Sequence, residues 1–310
     1  MKPARATGRL AAAAFLLSWT AGAGASGLPF LLLGSGARAT ALGEAAAALA
    51  DVDAAAANPA AVSVAGGRLG VTHSSWIQDV RHEYATALQP LGAGILSAQL
   101  SLSRSAGLER RVGPSLEPLG EFGVYEWFLG LGYGRRSTAN LQFGAAWKVV
   151  RQSIHTESAM GAALDFGFLY RLGDRLRAGG SVRNLGVMNP LAEDSTELPG
   201  QARLAFACSC LGKPFGPQAS RLALIEVQLA RGYGSSFHGG TEWPLSATLV
   251  LRWGYQTGSR RSLSAGFGLQ VRSWRIDYAY VPFASGLGQA HRLSLYRGRA
   301  PASSSAARML

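Results

Sequence analysis

The sequence has few charged residues for its length. Asp, Glu, Lys and Arg make up 15% of its 310 residues, compared with roughly 25% in a typical soluble domain. No uninterrupted apolar run approaches the ~20 residues that a membrane-spanning helix needs. The 40 glycines show no collagen period, and 48% of residues are apolar, which argues against general disorder. Together these features favour a closed transmembrane β-barrel, whose strands satisfy all their backbone hydrogen bonds in lipid.

Cysteine and histidine are also scarce. The two cysteines, Cys208 and Cys210, stand two apart. We interpret them as small apolar residues, because a disulfide across one intervening residue would close a strained ring. The five histidines are scattered and none clusters with the cysteines, so we expect no metal site and no cofactor.

Other functional classes find little support in the sequence. A hydrolase would need a nucleophile beside a histidine, but His291 and Ser294 are three apart, which on a strand puts them on opposite faces. Asp165 and Asp277 could act as an acid and a base, but nothing in the sequence indicates a substrate cleft around them. We therefore expect no enzyme. The pI of 10.4 is basic, but the arginines are dispersed along alternating segments, which argues against a nucleic-acid partner.

The first residues read as a secretory signal peptide, residues 1–25. Lys2, Arg5 and Arg9 form a positive start, a ten-residue apolar stretch follows, and Ala23-Gly24-Ala25 offers a small-residue cleavage site. This predicts export, and with a β-barrel it predicts location in a bacterial outer membrane.

From about residue 67 the sequence alternates with period two, the period of a β-strand. In Trp274–Val281, large apolar side chains alternate with Arg275, Asp277 and Ala279. Aromatic side chains on one face and charges on the other suit lipid outside and a polar lumen inside. The pattern predicts about fourteen strands, near 67–76, 82–90, 93–104, 122–134, 138–152, 158–171, 174–184, 200–209, 220–230, 235–243, 246–255, 261–271, 273–281 and 290–297.

The connections between these strands alternate in predicted length. We expect longer external loops at 105–121, 152–157 and 185–199, and short turns such as Leu172-Gly173-Asp174 and Arg272. Both ends of an even-stranded barrel should lie on the periplasmic side. The predicted organisation is a hatch segment at 26–65, a barrel at 66–298 and a disordered tail at 299–310.

Strand parity assigns a set of charged side chains to the lumen. They are Glu126, Lys148, Asp165, Arg175, Arg177, Arg183, Arg203, Glu226, Glu242, Arg252, Arg272, Arg275, Asp277 and Arg292. Two interpretations stay open. The charges could form a network of ion pairs that fills and stiffens the lumen, or they could form a basic path that favours anions.

The region before the first predicted strand is rich in alanine. Residues 41–56 are strong helix formers, which predicts a helix that ends at Asn58-Pro59, because a residue before proline avoids the helical conformation. The bland alternative is an alanine-biased linker.

Several motifs in order along 34–298 give a resemblance to a known family. Gly36-x-Arg38-Ala39, Leu42-Gly43 and Asn58-Pro59-Ala60 stand near the start, and Arg183-Asn184-Leu185-Gly186 and Gly240-Thr241-Glu242-Trp243 follow. This order resembles the PorV/PorQ family within the FadL-type outer-membrane barrels. The chain departs from the family's pattern in having Gly43-Glu44 instead of a Gly-Gly pair, and in its Ser/Ala-rich tail.

The resemblance implies that the N-terminal segment folds into the lumen as a hatch. It implies a barrel that passes hydrophobic or amphiphilic small molecules through the outer membrane, with membrane lipid around it. The alternative is an outer-membrane scaffold of a protein secretion system, whose partners would be a secreted protein or secretion subunits. A purely structural barrel is the third hypothesis.

Overall fold

Fourteen antiparallel strands close into a barrel in the computed structural model, which describes residues 27–34, 36–64, 68–114, 116–193, 196–209, 221–258 and 262–298. The strands are β1 (Arg68–Ser75), β2 (Arg81–Leu91), β3 (Gly94–Arg110), β4 (Gly120–Arg136), β5 (Leu141–Ile154), β6 (Glu157–Arg171), β7 (Leu176–Met188), β8 (Gln201–Cys208), β9 (Leu222–Ala230), β10 (Gly234–Pro244), β11 (Leu249–Gln256), β12 (Leu263–Val271), β13 (Trp274–Pro282) and β14 (Gln289–Gly298). The predicted fold class and strand count are confirmed.

The barrel closes between its first and last strands. Each strand pairs with its neighbours in the chain, and β1 pairs with β14, with Val71 opposite Leu295. Closure leaves no sheet edge with unpaired backbone groups, which is a requirement inside lipid.

The two faces of the sheet have the polarity that period two predicts for a membrane barrel. On β3 the outward Leu100 and Leu102 are 38% and 42% exposed, whereas the inward Ser97 and Ser101 are each 1% exposed. A soluble β-sandwich would show the reverse arrangement. The outer surface is therefore apolar and the interior polar.

The two ends of the barrel differ in their connections. Turns after even-numbered strands lie at the end where β1 begins and β14 ends, which we call the turn end; the opposite end is the loop end. The expected long loop at 152–157 is wrong. There β5 and β6 run on to a two-residue turn, in which His155 adopts a φ of 54°. The loops expected at 105–121 and 185–199 shorten to 111–119 and 189–200 for the same reason.

The predicted helix over 41–56 is also wrong. The only α-helix before β1 in the described residues is α1 (Ala37–Ala41), and 3₁₀ helices cover Pro29–Leu32, Asp53–Ala56 and Pro59–Val64. Helix α1 ends because Gly43 and Glu44 take left-handed φ values of 69° and 66°. Contacts with the barrel wall override the helix propensity of alanine here.

Some features of the sequence have a different or undescribed structure. Cys208, at the end of β8, is disulfide-bonded, so its interpretation as a small apolar residue is wrong. The expected signal peptide and C-terminal tail lie outside the described residues. No helix in the described ranges is long and apolar enough to cross a bilayer.

Candidate functional site: the barrel lumen and its N-terminal segment

The chain before β1, residues 27–64, runs through the inside of the barrel; we call it the N-terminal segment. At the loop end, the backbone N–H of Gly27 donates to the carbonyl of Glu197 at 3.2 Å. At the turn end, the Ser63 hydroxyl lies 3.0 Å from Oε1 of Gln142 on β5. The segment therefore passes along the barrel from the loop end to the turn end.

Small residues on both sides let the segment touch the wall with its backbone. Ala37, Ala41 and Ala45 of the segment are fully buried. Opposite them the wall carries glycines, and a Cβ added at Gly144 or Gly254 would collide with backbone atoms of the segment. The alanine-rich composition thus serves close packing against a glycine-lined wall rather than a long helix.

A cluster of ion pairs fastens the segment to strands β10, β11 and β13; we call it the latch. It comprises Arg38, Asp51 and Asp53 of the segment and Glu242, Arg252, Arg275 and Asp277 of the wall. Its wall members Glu242 and Asp277 are 8% and 0% exposed. Buried charges need such mutual pairing, because an isolated ion in the interior is strongly unfavourable.

Arg38 and Arg275 make the cross-links of the latch. Arg38 donates from Nε and Nη2 to both carboxylate oxygens of Glu242, at 2.7 and 2.6 Å, and also binds Asp51. Arg275 donates from Nη2 to Asp53 at 2.8 Å and pairs through Nε with Asp277 at 2.7 Å. The forked geometry of the first pair is the stronger, orientation-specific form of a charge-assisted hydrogen bond.

The latch holds four carboxylates against three guanidinium groups. Burial raises the pKa of Asp53 to about 8, and the neighbouring carboxylates reinforce the shift, although Arg275 opposes it. Burial also acts on Asp51, but the guanidinium groups of Arg38 and Arg275 outweigh it and lower the pKa of that carboxyl. Asp53 is therefore the carboxylate of the latch that takes up a proton most readily.

Other wall side chains bind the backbone of the segment. Glu226 accepts hydrogen bonds from the N–H groups of Ala46 and Ala47, both at 2.8 Å. Arg203 pairs with Glu226 at 2.7 Å and donates to the carbonyl of Glu44 at 2.7 Å. In a helix, the N–H groups of Ala46 and Ala47 would donate to backbone carbonyls. Here they donate to the Glu226 carboxylate, which replaces the predicted helical hydrogen bonds.

Asn58 ties the far part of the segment to β6. Its Nδ2 donates to the carbonyls of Ala47 at 2.7 Å and Phe168 at 2.9 Å, and its Oδ1 accepts from the N–H of Ala60 at 3.0 Å. Pro59 then starts a 3₁₀ helix, where its missing N–H costs nothing. The Asn-Pro-Ala motif is thus a structural connection between the segment and the wall.

The structure brings the sequence-predicted residues together inside the barrel, with two exceptions. The hatch residues Gly36, Arg38, Ala39, Leu42, Gly43, Asn58, Pro59 and Ala60 all lie in the N-terminal segment. Eleven of the predicted lumen charges are buried or nearly buried: Glu126, Lys148, Asp165, Arg183, Arg203, Glu226, Glu242, Arg252, Arg275, Asp277 and Arg292. Arg177 is half-buried at the turn end, whereas Arg175 and Arg272 are exposed in turns.

Most of these charges pair with one another. Lys148 lies 2.8 Å from Asp165, which Arg183 approaches at 3.7 Å, and Arg292 lies 3.9 Å from Glu44. The partners that the segment supplies, Asp51 and Asp53, could not be assigned from the sequence, because nothing local indicates which strand they face. Arg136 and Arg171 were absent from the predicted lumen charges, although strand parity extended to the strand ends places both inside the barrel.

Two cavities beside the described part of the segment are small. One lies beside Thr40, Gly43 and Ser264, the other lies between Ala39 and Arg183, and each has a volume of about 10 Å³, which is room for about one water molecule. Neither of these two cavities therefore admits a small organic molecule while the segment is in place. Within the described residues, no group of His, Cys, Asp or Glu side chains is arranged to hold a metal ion.

Comparisons with solved structures identify the same architecture in known channels. The Pseudomonas putida toluene transporter TodX is similar with a TM-score of 0.61 and 13% identity, over 85% of this chain and 96% of that chain. The CymD monoaromatic hydrocarbon channel gives 0.61 and 12%, over 87% and 99%. A Pseudomonas aeruginosa FadL homologue gives 0.53 and 14%, over 85% and 97%. No protein-family model and no curated protein sequence matches the chain.

Proposed function

We propose that this protein is an outer-membrane channel for hydrophobic or amphiphilic small molecules, gated by its N-terminal segment. The observation that carries the proposal is a closed barrel with an apolar outside, whose interior is occupied by a latched segment of its own chain. Its fold is that of channels described as carrying toluene and monoaromatic hydrocarbons.

The packing of the lumen dictates how passage would occur. The backbone of the segment packs against wall glycines such as Gly144 and Gly254, and the two cavities beside Thr40 and Ala39 are too small for an organic solute, so we expect the segment to shift before a solute passes. Alanine side chains of the segment offer an apolar surface to the solute, while Arg183 and Arg203 border the cavity beside Ala39. Such a mixed lining suits a molecule with an apolar body and a polar end.

A reversible cross-link tests whether the segment moves during passage. Ala37 and Ala41 of α1 pack with Ala279 of β13 in one fully buried cluster. The double substitution Ala37→Cys/Ala279→Cys would join α1 to the wall when oxidised and release it when reduced. Uptake of radiolabelled toluene is measured in cells that lack their own channels of this fold.

We expect cells with the wild-type protein to take up toluene several-fold faster than cells with an empty vector. Oxidation of the double variant should return uptake to the empty-vector level, and reduction should restore it. The wild-type protein under the same two treatments is the control. Equal uptake with and without the protein would refute the channel, whereas uptake by the cross-linked form would refute gating by the segment.

The location of the protein belongs to the same proposal. A channel of this kind needs export, which residues 1–25 would direct as a cleaved signal, and outer-membrane lipid around the apolar belt. Membrane fractionation, with N-terminal sequencing of the mature chain, checks both points.

The PorV/PorQ assignment and a role in protein secretion rest on sequence motifs. One structural feature is relevant to them: in the β3–β4 connection, Val112 and Leu119 are largely exposed apolar side chains. Replacing 111–119 by a short polar turn should abolish a protein partner's binding if the secretion hypothesis is right, and should leave toluene uptake unchanged if the channel hypothesis is right.

A further inference from the structure

Four polar side chains occupy the last inward positions of four consecutive strands at the turn end. They are Arg136 on β4, Gln142 on β5, Arg171 on β6 and Arg177 on β7. The sheet register places Arg136 opposite Gln142 and Arg171 directly opposite Arg177. Three guanidinium groups therefore face the same part of the barrel mouth.

These side chains line a common open cavity, bordered by Ala50 of the N-terminal segment and by Asn140 of the β4–β5 turn. No carboxylate of the described residues lines it. Asp51, next to Ala50, is bound to Arg38 and Arg275 in the latch. Asp174, in the β6–β7 turn, is exposed and makes no ion pair in the described part of the chain. The cavity is thus lined by three guanidinium groups, none of which forms an ion pair in the described part of the chain.

The partners of the three arginines are neutral. Arg171 donates to Oδ1 of Asn140 and to the carbonyl of Ala139, at 3.2 and 3.0 Å, and Arg177 donates to the carbonyl of Ala48 at 3.3 Å. The guanidinium group of Arg136 has no hydrogen-bond or ion-pair partner among the described residues. Elsewhere in the lumen, by contrast, Arg183, Arg203, Arg252, Arg275 and Arg292 each lie within 4.0 Å of a carboxylate.

The pairing of Arg171 with Arg177 is unfavourable by itself. Like charges directly opposite each other on neighbouring strands repel, and this lowers the stability of the sheet. An anion between the two guanidinium groups would offset the repulsion, and it would accept hydrogen bonds from their remaining N–H groups. Arginine is well suited to this, because its planar fork matches the oxygens of a carboxylate or phosphate.

We propose that Arg136, Arg171 and Arg177 form a binding site for an oxyanion at the turn-end mouth of the barrel. The ligand is a carboxylate or phosphate group, with Gln142 and Asn140 as further polar neighbours. The site is independent of the proposed passage of hydrophobic molecules, since none of its residues belongs to the latch. The oxyanion could come free from the aqueous phase or as the headgroup of an anionic lipid at the rim.

Calorimetric titration with inorganic phosphate tests the site in the full mature protein, held in a non-ionic maltoside detergent at low ionic strength. We expect saturable binding to the wild type. The double substitution Arg171→Gln/Arg177→Gln should weaken it about tenfold or more, since two charge-assisted interactions are lost. Arg135→Gln is the matched control: it removes the same charge from the neighbouring, outward-facing position of β4. Its affinity should stay within about twofold of the wild type, because Arg135 does not line the cavity.

A second measurement distinguishes the two sources of the oxyanion. The proteins are reconstituted in nanodiscs that contain phosphatidylglycerol, and retained lipids are counted by native mass spectrometry. Phosphate binding that is lost in the double variant supports a free anion. Retention of phosphatidylglycerol by the wild type and Arg135→Gln, but not by the double variant, supports a lipid headgroup. Binding of neither ligand, or equal losses in Arg135→Gln and the double variant, would overturn the proposal. Toluene uptake by the same variants keeps this result separate from the channel hypothesis.

Discussion

Arg38 and Glu242 are 204 residues apart in the chain, yet Arg38 donates from Nε and Nη2 to both carboxylate oxygens of Glu242. The pair joins the N-terminal segment to β10 inside the barrel. Arg252 also donates to Glu242, at 2.6 Å. Arg252 therefore orients Glu242 from within the barrel wall, and Arg38 of the segment binds a carboxylate that the wall already holds in position.

Substituting Arg38 should loosen the segment more than any single surface change. Arg38→Ala leaves Asp51 and Glu242 with less compensation in a buried site, and breaking a buried ion pair typically costs about 3–5 kcal/mol. We expect a lower free energy of unfolding in urea and a higher conductance in planar bilayers. Arg111→Ala is the control, since it breaks an exposed pair with Glu109 and should cost about 0–1 kcal/mol. Equal conductance of the two variants would show that the latch does not close the pore.

The protonation of Asp53 should make the latch sensitive to pH. In the docked segment the pKa of Asp53 is about 8, compared with an ordinary value near 4. Because the docked state holds the proton more tightly, docking weakens progressively as the pH rises from about 4 to 8 and then levels off. Asp51, whose pKa is lowered, changes its charge only in acid below this window.

Conductance should accordingly increase between pH 5 and pH 8 and change little from pH 8 to pH 9. Asp53→Asn, which stays neutral throughout, should have a nearly flat profile over the same range. A wild-type profile as flat as that of the variant would contradict a protonated Asp53.

The glycines of the wall should tolerate substitution according to their distance from the segment. Gly144→Ala would place a Cβ against the backbone of Pro59 and Ala60, whereas Gly239→Ala would meet its nearest neighbour, the carbonyl of Leu224, at an ordinary 3.5 Å. Overpacking costs about 1–3 kcal/mol, so Gly144→Ala should be less stable and should conduct more. Gly239→Ala should match the wild type in both denaturant titration and conductance. If both variants behaved alike, the segment would not be pressed against the wall.

The outward face should reject charge in the manner of a lipid-exposed surface. Leu131 is 48% exposed on the outside of β4. Leu131→Arg should destabilise the barrel in phospholipid vesicles by about 2–4 kcal/mol if it lies near the membrane midplane. Val112→Arg, in the exposed β3–β4 connection, should have almost no effect. Comparable unfolding curves for the two variants would argue against membrane insertion of this face.

The barrel could be predicted from the sequence because its signal is local. Alternation along β13, with Ile276 and Tyr278 on one face and Asp277 on the other, needs no knowledge of the rest of the chain. The same parity placed Arg252 and Glu226 inside. Parity does not indicate the residue at which a strand ends. For this reason the extension of β5 and β6 into the loop expected at 152–157 could not be predicted.

The N-terminal segment was harder to predict because its conformation depends on distant residues. Alanine favours helix in isolation, but Glu226, some 180 residues away, takes up the N–H groups of Ala46 and Ala47. The partners of Arg38 likewise depend on the register of β10 and on the position of the segment in the lumen. Neither is encoded within a short window of sequence.

The path of the N-terminal segment also constrains the order in which the molecule can be built. The segment extends from the loop end to the turn end and leads directly into β1, the strand that closes the barrel against β14. If the β1–β14 seam formed first, a long stretch of chain would have to thread lengthwise through a finished cylinder, past buried ion pairs. Connections that thread through closed structure are very rare in proteins. The segment must therefore be enclosed as the seam closes, so that the barrel assembles around its own N-terminal segment.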